Sequence, residues 1–147
     1  MENIDPALKA EFAQKERGYT KLPDGGQTKF FRGWNELKLT GKLPERRSYT
    51  TGCLQDGQMY IFGGQDLKEG SVNSTWRINL EKIIKMSEAQ ADNIDVFWEQ
   101  IHYDKKGPTP APISHHNAFI FQGKMHVFGG LSGSESNGHL WILDIKS

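Results

Sequence analysis

Two stretches decide the fold: PERRSYTTGCLQDGQMYIFGG at residues 44–64 and PAPISHHNAFIFQGKMHVFGG at residues 110–130. They are offset by 66 residues, and seven of their 21 aligned positions are identical. In the first stretch Asp56-Gly57 separates two apolar runs, which is a strong signal for a β-hairpin. A sequence that repeats itself at a fixed offset is typical of repeat architectures. We therefore predict two hairpins of the same kind.

Short aromatic segments flank both hairpins in the same order. A tryptophan segment precedes each hairpin, followed by a glycine and then a proline: Trp34, Gly41 and Pro44 in the first copy, Trp98, Gly107 and Pro110 in the second. A further apolar segment follows each Gly-Gly pair, and it contains Trp76 in the first copy and Trp141 in the second. Each copy is therefore predicted to comprise a tryptophan strand, a hairpin and a third strand.

This order resembles the kelch repeat over about residues 34–147. In that family an Arg and a His open the innermost strand, Gly-Gly ends the second strand, and a Trp marks the outer strand. The sequence departs from the pattern at Ile113, where the family has Arg, and at Thr50, where it has His. The residues that carry the repeat signature are Trp34, Gly63, Gly64, Trp76, Trp98, His116, Gly129, Gly130 and Trp141. The resemblance implies structural roles for them.

The resemblance implies an all-β fold: a partial kelch-type β-propeller with two blades' worth of strands. Short helices are expected at the N-terminus and in an insertion between strands. We expect an N-terminal helical and loop extension at 1–28 and a propeller segment at 29–147. Within the propeller segment, the first blade is expected at about 46–104, with a helical insertion at 81–92. The second blade is expected at about 112–147, and residues 30–39 could supply its outer strand.

Closure of a propeller requires more blades than this sequence contains, because propellers typically have about 4–8 blades. Two interpretations remain open. Either the sequence is a fragment whose other repeats are absent, or several copies form a ring in which the Trp34 strand of one copy completes the Trp141 blade of the next. Both leave an isolated chain with an unpaired strand edge and an apolar blade face, which favour association.

Composition excludes several classes of function. Lys and Arg number 18, as do Asp and Glu, so the formal net charge is zero and no nucleic-acid partner is expected. No stretch is long and apolar enough to span a membrane, so no membrane partner is expected either. The single cysteine, Cys53, cannot form an intrachain disulfide, and the first residues contain no apolar run of the kind that a signal peptide has, so none is expected. We therefore expect a cytoplasmic protein in which Cys53 is a buried apolar residue.

The sequence contains no recognisable catalytic or metal-binding motif. His115 and His116 are adjacent in a predicted strand and should point to opposite faces, which disfavours a shared metal. Ser48 and Ser114 do not stand in a Gly-x-Ser-x-Gly turn. The copper site of galactose oxidase, an enzyme on a related propeller, has no recognisable counterpart. We therefore expect no catalytic residue, cofactor or metal.

The fold resemblance implies a non-catalytic module for protein–protein interaction or scaffolding. Its partners would be other proteins, further kelch repeats, or copies of itself. Arg46 and Arg47 are the candidate contacts for an acidic partner segment, because Arg pairs bidentately with carboxylates; the alternative for Arg47 is a structural role between blades. Two alternative functions remain: a fragment of a galactose-oxidase-like or sugar-processing propeller enzyme with its catalytic residues on missing blades, and a self-assembling propeller subunit.

Overall fold

The computed structural model describes residues 33, 34, 37, 39, 41–88, 96–103 and 107–145. The predicted N-terminal helix and the end of the predicted insertion lie outside these residues. The elements are β1 (Thr51–Gln55), β2 (Gln58–Phe62), β3 (Gln65–Asp66), β4 (Gly70–Ser71), β5 (Thr75–Asn79), α1 (Leu80–Glu88), β6 (Glu99–Ile101), β7 (Asn117–Phe121), β8 (Lys124–Phe128), β9 (Leu131–Ser132), β10 (Glu135–Ser136) and β11 (Leu140–Asp144).

The first blade is a four-stranded antiparallel sheet in the order β1-β2-β5-β6. Asp56 and Gly57 connect β1 to β2 and have φ values of 49° and 70°. A type I′ hairpin turn requires positive φ at both positions, and Asp-Gly tolerates it well. The turn sets the register, which pairs Cys53 with Tyr60. Since residues opposite each other share a face, every second residue of β1 and β2 points toward the second blade.

The second blade is a three-stranded antiparallel sheet in the order β7-β8-β11. Its hairpin turn at Gln122-Gly123 repeats the first, with φ values of 51° and 74°. A short ladder follows each Gly-Gly pair, β3 with β4 in the first blade and β9 with β10 in the second. In the described part of the chain no fourth strand pairs with the outer edge of β11. The predicted all-β arrangement of partial propeller blades is confirmed.

The two blades share one hydrophobic core. Cys53, Tyr60 and Phe62 of the first blade lie in one buried cluster with Met125 and Val127 of the second. Other members of the cluster are Ile113 and Ile145, with Ile101, Ala118, Ile120, Trp141 and Leu143 packed against it. Neither sheet could bury both of its faces alone, so stacking the blades is what removes this apolar surface from water.

Gly63 and Gly64 allow the blades to approach closely. A Cβ on Gly63 would lie 2.7 Å from His116 Cε1 and 2.7 Å from the Ile113 carbonyl oxygen. Gly64 donates its N–H to that same carbonyl across the junction, at 2.8 Å. Gly130, the counterpart of Gly64, is also crowded, since its Cβ would lie 2.6 Å from the Ser114 carbonyl oxygen.

The chain divides into two compact units, and the blades belong to the unit formed by residues 41–80 and 97–147. In the other unit, α1 continues through residues 81–88, with Ile83 buried and Glu81 paired to Lys85 at 2.7 Å. No helix among the described residues is long and apolar enough to cross a membrane.

We expect Gly63→Ala to destabilise the chain more than Gly129→Ala. Both glycines have left-handed φ values, 60° and 70°, so both variants incur backbone strain. Only Gly63 is crowded, because a Cβ on Gly129 would meet no atom closer than the Asn137 carbonyl oxygen at 3.6 Å. The excess should be about 1–3 kcal/mol, the cost of overpacking, measured by urea unfolding. Equal losses in the two variants would contradict this description of the junction.

Candidate binding surface at the start of the inner strands

Arg47 lies just before β1 and is part of the internal framework of the first blade. Its side chain is only 5% exposed. Nη1 donates to the carbonyl oxygens of Gly63 at 3.0 Å and Ser74 at 3.3 Å, and Nη2 donates to Ser74 Oγ at 2.9 Å. The guanidinium also pairs with the carboxylate of Glu45. These contacts connect the residues just before β1 with the residues that follow β2 and with those that precede β5.

Glu45 completes this network from the same segment. One carboxylate oxygen, Oε2, accepts hydrogen bonds from Ser74 Oγ at 2.9 Å and from Trp76 Nε1 at 3.2 Å. Burial disfavours the charged form, but hydrogen bonds from the backbone and Ser74 and the charge of Arg47 outweigh it and lower the pKa of Glu45. Burial lowers the pKa of Arg47, which Glu45 opposes. Both groups therefore stay charged near neutral pH.

Arg46 differs from Arg47 in its surroundings. Its side chain is 84% exposed, and Asp66 Oδ2 lies 3.9 Å from its Nε. Asp66 accepts hydrogen bonds from the backbone N–H groups of Lys68 and Glu69, which lower its pKa. The pair predicted from the sequence is therefore divided: Arg46 presents its guanidinium to solvent, and Arg47 directs its own inward.

Tyr49 and His115 form an exposed aromatic pair across the two blades. Their rings are stacked with centroids 3.7 Å apart at an angle of 21°, and Tyr49 is 59% exposed. Both residues have left-handed backbone conformations, with φ of 53° and 57°. The His115 N–H donates to the Tyr49 carbonyl at 3.1 Å, and Ser114 Oγ lies 3.0 Å from His115 Nδ1. These contacts hold both rings in place.

His116 is buried at the junction beside this pair. Its Nε2 lies 2.8 Å from Thr51 Oγ1, and its ring contacts the edge of Phe62. Burial lowers the pKa of His116, the nearby His115 lowers it further, and the carbonyl of Phe62 opposes the shift. In the first blade Thr50 holds the equivalent position and donates its hydroxyl to the Phe62 carbonyl at 2.8 Å. The two residues thus fill one repeat position with different polar groups.

The arrangement of the two histidines differs from the sequence prediction in one respect. His115 and His116 were predicted to be strand neighbours, but β7 begins only at Asn117. The left-handed φ of His115 turns the chain just before the strand, so His115 is exposed while His116 is buried. Among the described residues no group of three or more His, Cys, Asp or Glu could hold a metal ion.

The sequence reasoning did not recognise Tyr49 as a surface residue or its pairing with His115. The signal was present, because positions 49 and 115 are separated by the same 66 residues that relate the two hairpins. Identical spacing predicts equivalent places at the mouths of adjacent blades, even though the two residue types differ. The left-handed conformation was not readable, since Tyr rarely adopts it.

The remaining signature residues lie in different environments. Trp76 is 1% exposed, whereas Trp141 is half-buried against the core between the blades. Trp98 is half-buried, and Trp34 is 93% exposed. The structural role that the resemblance implies for Trp34 stays a prediction, as does the supply of an outer strand by residues 30–39.

Repeated antiparallel sheets stacked face to face define this molecule as a β-propeller-type repeat protein. The family model for the KLHDC2/KLHL20/DRC7 Kelch-repeats domain matches residues 30–147, so the chain belongs to the kelch-repeat family.

Curated relatives of the chain differ widely in their names. Acyl-CoA-binding domain-containing protein 5 of Arabidopsis thaliana is 30% identical over 78% of this chain and 15% of its own length. Leucine-zipper-like transcriptional regulator 1 of Mus musculus is 28% identical over 77% of this chain and 12% of its own length. Ras guanine nucleotide exchange factor F of Dictyostelium discoideum is 28% identical over 76% of this chain and 8% of its own length. The chain therefore spans less than a fifth of each of these relatives.

We expect Arg47→Ala to lower the free energy of unfolding by about 2–4 kcal/mol. Removing the guanidinium leaves the Gly63 carbonyl without its side-chain donor, takes one of two donors from the Ser74 carbonyl, and removes the cation that faces Glu45. Losing such partners inside a blade is costly. Arg46→Ala is the matched control and should leave the urea midpoint unchanged, because an exposed pair contributes little. A loss in Arg46→Ala as large as in Arg47→Ala would contradict this assignment.

We also expect the free energy of unfolding to decrease as the pH is lowered, and we expect His116 to account for part of this decrease. Since its folded pKa lies below the unfolded value, near 6.5, the unfolded chain takes up a proton more readily. This contribution to stability is fully present above pH 6.5 and decreases as the pH falls through and below that value. His116→Gln should flatten the decrease between about pH 7.5 and 5.5 in urea titrations. His139→Gln is the matched control, and a His116→Gln curve parallel to it would contradict the assignment.

Proposed function

We propose that this chain is a non-catalytic protein-interaction module, and that Arg46, Tyr49 and His115 form part of its contact surface. The observation that carries the proposal is the exposed Tyr49–His115 stack at the mouth of two adjacent blades. Tyrosine is enriched at protein interfaces because it combines a large apolar ring with a polar hydroxyl. Exposed aromatic rings held by a rigid scaffold favour recognition over catalysis.

Backbone geometry supports this role. Tyr49 and His115 adopt a sparsely populated conformation, which persists only where the surrounding structure fixes it, and such residues cluster at functional sites. The hydrogen bond between their backbones and the ring stacking restrict both side chains before any partner arrives. A partner therefore pays little ordering entropy on binding, which is the advantage of a preorganised surface.

Charge supports an acidic partner segment. Arg46 is the member of the predicted arginine pair that faces solvent, and its separation from Asp66 leaves most of its donors available. Arg can bind a carboxylate through two parallel hydrogen bonds. Arg47 lies inside the blade, where it donates hydrogen bonds to the Gly63 carbonyl and to Ser74 Oγ and so stabilises the segment that carries Arg46. We infer that an acidic residue of the partner binds Arg46 beside the aromatic pair.

The family assignment is consistent with this proposal, since kelch repeats generally mediate protein–protein interaction. The names of the relatives include a transcriptional regulator and an exchange factor, but the chain matches only a small part of each. We extend the proposal to a cytoplasmic setting because Cys53 is a free, buried thiol, as is usual in reducing compartments.

Peptides selected from a random phage-displayed library on the folded chain should be rich in Asp and Glu. Tyr49→Ser and His115→Ser should each weaken their binding by about tenfold, and Arg46→Ala should weaken it and reduce its dependence on salt. Lys124→Ala is the control, because Lys124 lies at the far end of the β7–β8 hairpin. Affinities measured by isothermal titration would refute the proposal if the Tyr49, His115 and Arg46 variants all bound like the wild type and the Lys124 control.

A further inference from the structure

The connection between β10 and β11 contains the dipeptide Asn137-Gly138. In an Asn-Gly pair the glycine nitrogen readily reaches the side-chain amide carbon of the asparagine, because glycine has no Cβ to obstruct the approach. Asn137 is half-buried and Gly138 is exposed, so water has access to the pair. A Cβ built on Gly138 would meet no atom within 4 Å. The surroundings therefore leave room for a rearrangement of this dipeptide.

Hydrogen bonds hold the residues on both sides of the Gly138 nitrogen. The Asn137 N–H donates to the Gly130 carbonyl at 3.0 Å, and the Gly129 N–H donates to the His139 carbonyl at 3.2 Å. Within the described residues the Gly138 N–H itself donates to no acceptor. Its nitrogen is thus kept in position by its neighbours while it remains available to react.

The Asn137 side chain is folded back over this nitrogen. Its Oδ1 accepts a hydrogen bond at 3.2 Å from the N–H of His139, two residues further along the chain. So short a side chain reaches that N–H only by bending over the intervening peptide, which brings Cγ of Asn137 next to the Gly138 nitrogen. The same hydrogen bond polarises the side-chain carbonyl and stabilises the negative charge that develops on Oδ1 when a nucleophile attacks Cγ.

The other described asparagines stand in less reactive surroundings. Each is followed by a residue with a side chain: Ser74 after Asn73, Leu80 after Asn79, and Ala118 after Asn117. The Asn73 amide is engaged, since its Nδ2 donates to the Pro110 carbonyl at 3.1 Å. The nitrogen that follows Asn79 is engaged too, because the Leu80 N–H donates to the Gly57 carbonyl at 2.9 Å. Among the described residues Asn137 is therefore the asparagine best placed to react with its own backbone.

We propose that Asn137 is a site of self-modification, at which the folded chain converts this asparagine to aspartate and isoaspartate. The Gly138 nitrogen attacks Cγ of Asn137 and forms a new N–Cγ bond. The Cγ–Nδ2 bond breaks, and ammonia leaves with the proton that the Gly138 nitrogen loses. Water then opens the cyclic imide: addition at Cγ gives aspartate, and addition at the former backbone carbonyl gives isoaspartate, in which the chain runs through the side-chain carbons.

The modification changes the second blade locally. Both products carry a negative charge where the asparagine has a neutral amide. Isoaspartate also adds one carbon to the backbone between the two hydrogen bonds that hold this connection, Asn137 N–H to Gly130 O and Gly129 N–H to His139 O. The two bonds cannot both keep their geometry across a longer chain. The core between the blades contains none of these residues, so the loosening stays confined to the region after the Gly-Gly pair.

The first test measures the conversion by mass spectrometry after incubation at neutral pH. Trypsin releases residues 125–146 as one peptide, in which Asn137 is the only side-chain amide. Conversion should raise its mass by about one unit and should be at least about tenfold faster than at Asn73. Gly138→Ala should slow the conversion at least about tenfold. Gly107→Ala is the matched control, because it also adds a methyl group in open space, and it should leave the rate unchanged.

The second test asks whether the fold promotes the reaction. The folded chain should convert Asn137 at least as fast as a synthetic peptide of residues 134–141, because the His139 N–H holds the side chain over the Gly138 nitrogen. In chain purified as the isoaspartate form, the Gly129 amide should exchange with deuterium at least about tenfold faster than in fresh protein. The Gly63 amide, which donates to the Ser74 carbonyl at the equivalent place in the first blade, should be unchanged.

Three results would overturn the inference. One is slower conversion in the folded chain than in the peptide, because the fold would then hold the two reacting atoms apart. Another is a Gly138→Ala variant that converts as fast as the wild type, because the Gly138 nitrogen would then not be the nucleophile. The third is an unchanged exchange rate of the Gly129 amide in the isoaspartate form, which would show that the connection does not depend on the length of the backbone at this dipeptide.

Discussion

The close approach of Gly63 and Gly64 to Ile113 and His116 is the constraint on which the rest of the structure depends. A side chain at Gly63 would collide with His116 and Ile113 of the next blade, so the absence of a Cβ there sets the distance between the sheets, whereas one at Gly64 would collide with Ser48 of its own blade. At that distance the Gly64 N–H reaches the Ile113 carbonyl, and the apolar faces of both blades exclude water together. Packing and hydrogen bonding thus reinforce each other at a single place.

This constraint also creates the proposed contact surface. Holding the blades together brings the segments before β1 and β7 side by side, so that His115 donates its N–H to the Tyr49 carbonyl and their rings stack. The surface is a consequence of the junction, because Tyr49 and His115 are 66 residues apart in the chain. The proposed surface is therefore built on the same contacts that stabilise the fold, which explains how exposed loop residues can be rigid.

The two copies of the repeat place different residue types, Arg47 and Ile113, at the same position before the inner strand. In the first blade Arg47 spans the space beneath the Gly-Gly pair with hydrogen bonds to carbonyl oxygens. In the second blade Ile113 stands at that position and joins the hydrophobic core between the blades. Burying an isoleucine needs no compensating partner, whereas a buried guanidinium needs Glu45 and several acceptors. The departure from the family pattern at Ile113 is therefore compatible with a well-packed junction.

The sequence by itself determined the two hairpins and the positions of their turns, because these depend on local alternation and on glycine at fixed positions. The short ladder that follows each Gly-Gly pair was not predicted. The repeat offset also indicated that both blades would be built alike. Only the tertiary structure decided which of Arg46 and Arg47 faces solvent, that Tyr49 and His115 meet, and that Phe119 and Phe128 stay exposed while their counterparts Cys53 and Phe62 are buried. Those outcomes depend on neighbours distant in the chain, and the spacing of residues along one strand carries no information about what packs across from it.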